Sequence, residues 1–198
     1  MSTFIENLKY QIANIPGFST KRKLVVIESD DWGSIRMPSR EVYEELSAKG
    51  FPLYNSTYNR YDSLASEEDL EALFEVLSAF TDSNCNHPKI TANTIVSNPD
   101  FEKIKKSSYT EYHYEPFTTT LSRYPKHSNA FELWKQCISA GVFKPQFHGR
   151  EHINVPRWMN TLKDENTLAR QIFPYNIESR YTKCCGRIGC KEETFWWL

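Results

Sequence analysis

Leu24-Val25-Val26-Ile27 runs directly into Glu28-Ser29-Asp30-Asp31-Trp32-Gly33, and the reading of this stretch decides the fold. The four apolar residues are mostly β-branched, and their length and composition predict a buried strand. The polar, glycine-terminated segment after them predicts the loop at the end of that strand. Strands buried on both faces belong to parallel sheets covered by helices. In such folds the chemistry gathers where strands end.

Working outward, Ser39 predicts the cap of a helix that runs to about Lys49 and stops at Gly50. The tyrosine-rich stretch from Phe51 to Leu64 reads as a loop. Ser66-Glu67-Glu68-Asp69 resembles a capping box, and Leu70, Leu73, Phe74, Leu77 and Phe80 follow at helical spacing. Lys89 to Val96 reads as a second strand. Asn98-Pro99 predicts the start of a short helix, because proline suits a first helical turn. Tyr109 to His127 lacks regularity and reads as a functional loop or an insertion.

Ala130, Leu133, Trp134, Cys137 and Ile138 predict a helix ended by Gly141. Val142 to Phe147 then reads as a third strand, leading into His148-Gly149-Arg150-Glu151-His152. Pro156 starts a last helix carrying Trp158, Leu162, Leu168 and Ile172. The alternation of strands and helices favours an α/β fold, either a parallel sheet or a barrel with crossover helices. Residues 1–175 form the expected domain. The tail, 176–198, carries Cys184, Cys185 and Cys190, shows no apolar periodicity, and reads as an irregular end produced by truncation or a frameshift.

The bulk properties narrow the class. With 198 residues, 39% of them hydrophobic, a single folded core is expected. A formal net charge of -1 gives no basic field, so nucleic acid is not an expected partner. The first fifteen residues lack the apolar centre of a secretory signal. No apolar run reaches the length of a membrane span, and a cytoplasmic address is expected. The five cysteines are odd in number and show no disulfide framework. A zinc site of Cys184, Cys185 and Cys190 would need a second spaced pair that the tail lacks.

Two motifs carry chemistry. Adjacent carboxylates at Asp30 and Asp31 repel each other unless a cation neutralises them. One could bind a metal while the other serves as a base. An ordinary turn, or a helix cap, is the plain alternative. His148 and His152 are four residues apart, a spacing that on a helical turn places both imidazoles on one face. A hydrogen-bonded histidine pair is the alternative there. Taken together, one of the two aspartates with His148 and His152 makes three protein ligands with one coordination position open, the pattern of catalytic zinc sites.

Glu28-Ser29-Asp30-Asp31 after Val25-Val26-Ile27 resembles the first motif of the polysaccharide deacetylases (the NodB homology domain), commonly Thr-Phe-Asp-Asp. His148-Gly149-Arg150-Glu151-His152 resembles their second, commonly His-Ser/Thr-x-x-His. The resemblance covers the front part of such a domain. It implies an incomplete, distorted (β/α) barrel and hydrolytic removal of acetyl groups from a saccharide substrate. It also implies Asp30 as catalytic base and Asp31, His148 and His152 as ligands of a divalent metal. Zinc is the first choice, with cobalt, nickel or manganese as alternatives.

This chain departs from the pattern at Glu28-Ser29 and at Gly149. The later Arg-x-Pro-Tyr, Asp-Trp and Leu-x-His segments have no counterpart after His152. The usual general acid is therefore missing, and His113 and His127 are candidates to replace it. Little activity is expected of the chain alone.

Trp32, Asn93 and Arg150 are candidate substrate-binding residues, and Arg36 and Arg150 are candidates to steady Asp30. Two other functions compete. His148-x-x-Glu151-His152 fits an inverted zinc-peptidase motif, provided it lies within a long helix. A non-enzymatic remnant, or a carbohydrate-binding protein that keeps its metal, is the other.

Overall fold

The computed structural model of the chain describes residues 2–17, 19–53 and 57–177. The elements are α1 (Ser2–Asn14), β1 (Ile27–Trp32), α2 (Arg40–Ala48), α3 (Thr57–Tyr61), α4 (Glu67–Ser78), β2 (Ile90–Ile95) and β3 (Ser97–Pro99). They continue with α5 (Phe101–Lys106), β4 (Tyr114–Pro116), α6 (Phe117–Arg123), α7 (Ala130–Ser139), β5 (Phe143–Gly149), α8 (Val155–Leu162) and α9 (Leu168–Ile172). A 3₁₀ turn, Phe173–Tyr175, follows.

The α/β expectation holds at the level of layers. β1, β2 and β5 form a parallel sheet in that order, and helices lie within both crossovers. β3 and β4 pair antiparallel as a separate ribbon. No closed barrel forms among the described residues. The core lies between sheet and helices, where Leu70 and Leu77 of α4 and Trp134 and Cys137 of α7 meet Ala92 and Phe143 of the strands. A smaller cluster joins Leu46 of α2 to Met37, Leu53, Ile172 and Ile177.

Local chemistry accounts for the helix ends. Ser66 Oγ accepts from the Asp69 backbone N–H, and the Asp69 side chain accepts from the Ser66 N–H, so the capping box is real. Ser39 caps α2 as expected. Gly50 and Gly141 follow α2 and α7 at positive φ.

The decisive stretch is shifted along the chain. β1 begins at Ile27, and Asp30 and Asp31 lie inside it rather than in a following loop. Leu24, Val25 and Val26 are 62%, 87% and 76% exposed, so the buried strand expected there is not formed. β-branching favours extended backbone, but burial needs a covering layer, and these exposures show that no described element supplies one.

Other expectations are also corrected. Asn98-Pro99 belongs to β3, and α5 starts later, with Asp100 accepting from the Lys103 N–H at 3.0 Å. Proline's fixed φ suits a short edge strand as well as a helix start, and aspartate is the stronger cap. The helix expected from Pro156 to Ile172 is two helices, because Thr167 Oγ1 caps a new one by accepting from the Arg170 N–H. Phe80, counted on the face of α4, lies beyond it and is exposed.

The regions read as irregular contain α3, β4 and α6. The Tyr109–His127 segment is therefore ordered. Residues 178–198, with the three cysteines of the tail, lie outside the described residues. Of the described cysteines, Cys85 is exposed and Cys137 buried, and burial pushes the Cys137 thiol up. No described helix is long and apolar enough to cross a membrane.

Candidate metal centre

The strand register explains how residues far apart in the chain converge. Ser29 pairs with Ala92 and Trp32 with Thr94, so Asp30 and Asp31 together oppose Asn93. Across β2, Thr94 pairs with Phe147 and Ile95 with Gly149, which leaves His148 as the extra residue. Both outer strands thus carry a bulge, one on each side of β2. A bulge bends its strand and re-aims a side chain, and bulges concentrate beside functional sites. Asp31 also adopts φ 62, a left-handed backbone that non-glycine residues enter only when their surroundings enforce it.

Those surroundings are visible. Gly33 follows at φ +85, and a Cβ there would stand 2.6 Å from the Ile95 carbonyl oxygen. Only glycine fits this turn. The Arg36 guanidinium is almost fully buried and donates to Asp31 Oδ2 through Nη2, while Nη1 lies 3.0 Å from Asp62 Oδ2. The Tyr58 ring lies against its other side, 4.9 Å from centroid to Cζ. With Oδ2 engaged by Arg36, Oδ1 is the Asp31 oxygen that faces the imidazoles.

Three donor atoms then meet. His152 Nε2 lies 3.2 Å from Asp31 Oδ1, His148 Nε2 lies 3.7 Å from it, and the two Nε2 atoms are 3.2 Å apart. Two ligands each about 2.0–2.1 Å from a zinc ion at the tetrahedral angle stand about 3.3 Å apart. Two edges of the triangle, 3.2 Å each, match this separation, and the third, His148 Nε2 to Asp31 Oδ1 at 3.7 Å, is longer. Two facing Nε2 atoms at this separation cannot both carry a hydrogen. The arrangement suits one shared cation, and Asp31, His148 and His152 could hold a divalent ion.

The helical turn expected for the histidine pair is not formed. His148 lies in β5 and His152 in the loop after it. The bulge at His148 and the fold-back of residues 149–151 bring the rings together instead, with centroids 5.1 Å apart. The long helix that an inverted zinc-peptidase motif requires is thus absent here. Glu151 is engaged by the Arg150 guanidinium, which holds the Arg150 charge well above its ordinary range for losing a proton.

The remaining candidates are distributed as follows. Asp30 is exposed beside Asp31, and its Oδ1 accepts from Asn93 Nδ2 at 2.5 Å. Asn93, expected as a substrate contact, thus holds the candidate base. Arg36 steadies Asp31 rather than Asp30. Trp32 packs edge-on against Trp134 and Phe143 in the core. Arg150 lies over the Tyr114 ring, 4.6 Å from its centroid. His127 Nε2 meets the Leu64 carbonyl at 3.0 Å, and His113 lies 3.7 Å from Glu111, so each has a local partner.

Comparison with protein-family models, with curated proteins and with solved structures finds no match to the chain. The site must therefore be argued from its own geometry. Sequence reasoning missed Asp62, Ser97 and Asn98. The only signal for Asn98 is its place just after a strand, where the Asn98-Pro99 pair predicts a helix start instead.

Proposed function

We propose that this chain is a metal-dependent hydrolase of the carbohydrate-deacetylase type, acting on an acetylated saccharide. The observation that carries the reading is the triangle of Asp31 Oδ1 with the two Nε2 atoms of His148 and His152. One oxygen and two nitrogen donors, with a further position open, fit catalytic zinc first. Cobalt, nickel or manganese could take the same donors.

A divalent ion held there would polarise a substrate carbonyl and acidify water. The chain's own residues would present the donors and supply the base. Arg36 keeps one Asp31 oxygen occupied and the other presented. Asp30, adjacent in the strand and held by Asn93, is the candidate base for a proton taken at its carboxylate. Arg150 places a positive charge between the two histidines in sequence, at an exposed rim where substrate could meet it.

Two features support reading the sheet as an arc of a distorted (β/α) barrel. Its three strands are parallel, adjacent and joined through helices. Its two outer strands expose apolar side chains, Ile27 at 40% and Phe147 at 75%. Further strands at those edges would cover them.

The test has two parts. Purified protein, dialysed and analysed by plasma mass spectrometry, should hold about one zinc per chain, as a three-ligand site does. Acetate release should then be followed on an N-acetylated glucosamine oligomer and on an O-acetylated xylan oligomer. Asp30→Asn should keep the metal and slow release by roughly 10²–10⁴-fold, the usual weight of a general base. A wild type that binds no divalent ion overturns the reading, and so does release that Asp30→Asn leaves unchanged. Metal binding without acetate release from either substrate would favour a metal-containing carbohydrate-binding protein instead.

A further inference from the structure

Both ligand-bearing segments are gripped by one buried dipeptide. Ser97 and Asn98, in β3, are 3% and 0% exposed. Asn98 reaches the segment after Asp31: its Oδ1 accepts from the Ile35 N–H at 2.8 Å, and its Nδ2 donates to the Gly33 carbonyl at 2.8 Å. Ser97 reaches the segment between the histidines. Its backbone N–H and its Oγ both donate to the Arg150 carbonyl, at 2.8 and 2.9 Å. Just upstream, the Val96 N–H donates to the Gly149 carbonyl at 3.1 Å.

We infer that Ser97 and Asn98 are positioning residues that set the spacing between Asp31 and the two imidazoles. This rests on the metal reading above. In these bonds both residues reach backbone beside a ligand. Each fixes the backbone that carries one, and because they are neighbours they fix the two backbones relative to each other. A carboxamide suits the Asn98 position, since the site asks for one acceptor and two donors. Its Nδ2 also lies 3.2 Å from Thr120 Oγ1, which donates to Glu115 Oε1 at 3.0 Å. Aspartate there would keep the acceptor, lose both donors and set a carboxylate against the Gly33 carbonyl.

The alternative is that the pair only stabilises the fold. The two roles separate in metal affinity measured well below the unfolding midpoint. Zinc affinity is read by competition with a chromophoric chelator, and ligand geometry by the visible bands of bound cobalt. The variants are Asn98→Asp, Ser97→Ala and, as a control for lost stability, Leu46→Ala in the smaller core cluster. The inference expects Asn98→Asp to weaken zinc about tenfold or more, the range for groups that orient ligands from outside the first layer, and to shift the cobalt bands. Ser97→Ala, which keeps its backbone bond, should do so to a smaller degree. Leu46→Ala should lower the melting temperature and leave both readouts at wild-type values.

Wild-type affinity and spectra in both β3 variants overturn the inference while leaving the metal reading intact. A wild type without zinc removes the metal reading itself, a result recognisable without any variant. If Asn98→Asp does not fold, Ser97→Ala decides: a weakened affinity with shifted bands supports the inference, and wild-type behaviour overturns it.

Discussion

The two ends of the candidate centre are built differently. At the β1 end, Asp31 is clamped by a buried arginine, followed by an obligatory glycine, and backed by the Asn98 carboxamide. The Asp31 and Arg36 side chains are 16% and 5% exposed. At the β5 end, His148 and His152 are 33% and 25% exposed, and the loop between them is held by bonds to its backbone. The β1 end is a fixed point held by buried side chains, and the β5 end is held through its backbone.

The largest test of this contrast is Asp31→Asn. It removes the anionic ligand, and it also removes one of two carboxylates from a buried guanidinium. Breaking a buried ion pair on one side costs about 3–5 kcal/mol, and the retained Asp62 contact and the amide oxygen should hold the loss to about 2–3 kcal/mol. Chemical unfolding of metal-free protein measures it. A metal-free variant as stable as wild type would show that the β1 end is not the fixed point.

His148→Ala should behave in the opposite way. It should abolish tight zinc binding, yet change the stability of metal-free protein by no more than about 0.5 kcal/mol, as for exposed substitutions generally. Adding zinc at a hundred times the dissociation constant should stabilise wild type by about 2.7 kcal/mol. It should leave His148→Ala where it was. Thermal unfolding with zinc and with a chelator checks both. A large loss in the metal-free variant would mean that the β5 end carries the fold as the β1 end does.

The same contrast explains what was legible in the sequence. The candidate triad was legible, because two histidines four apart stand out among the five in the chain. The starts of α2 and α4 were legible because their capping signals are local, whereas the equally local caps of α5 and α9, Asp100 and Thr167, were passed over. The exposure of Leu24, Val25 and Val26 was not legible, since burial depends on what covers a segment. The helical turn expected for His148 and His152 was wrong for a related reason. A four-residue spacing fits one helical turn, but it fits a strand bulge and a fold-back as well, and only the register against β2 distinguishes them. Arg36 and Asn98 act through partners distant in the chain, and neither residue type announces such a partner.

The smallest effect concerns the support behind the β1 end. Glu115 is buried, accepts from Thr120 and pairs with Arg123, and burial pushes its carboxyl above the ordinary value of 4.5. An acid with a raised folded pKa binds its proton more tightly when folded. Its contribution to stability is therefore full below 4.5 and is lost as pH rises through the raised value. In Glu115→Gln that proton is gone from the balance. The stability of wild type relative to Glu115→Gln should fall as pH rises from 4.5 toward neutrality. Paired thermal unfolding curves across this range measure the difference, and their common response to all other carboxylates cancels. Because Glu115 reaches the Gly33 turn through Thr120 and Asn98, the drift belongs to the β1 end. A difference that stays flat or rises with pH would mean that the Arg123 charge outweighs burial and that this support does not titrate.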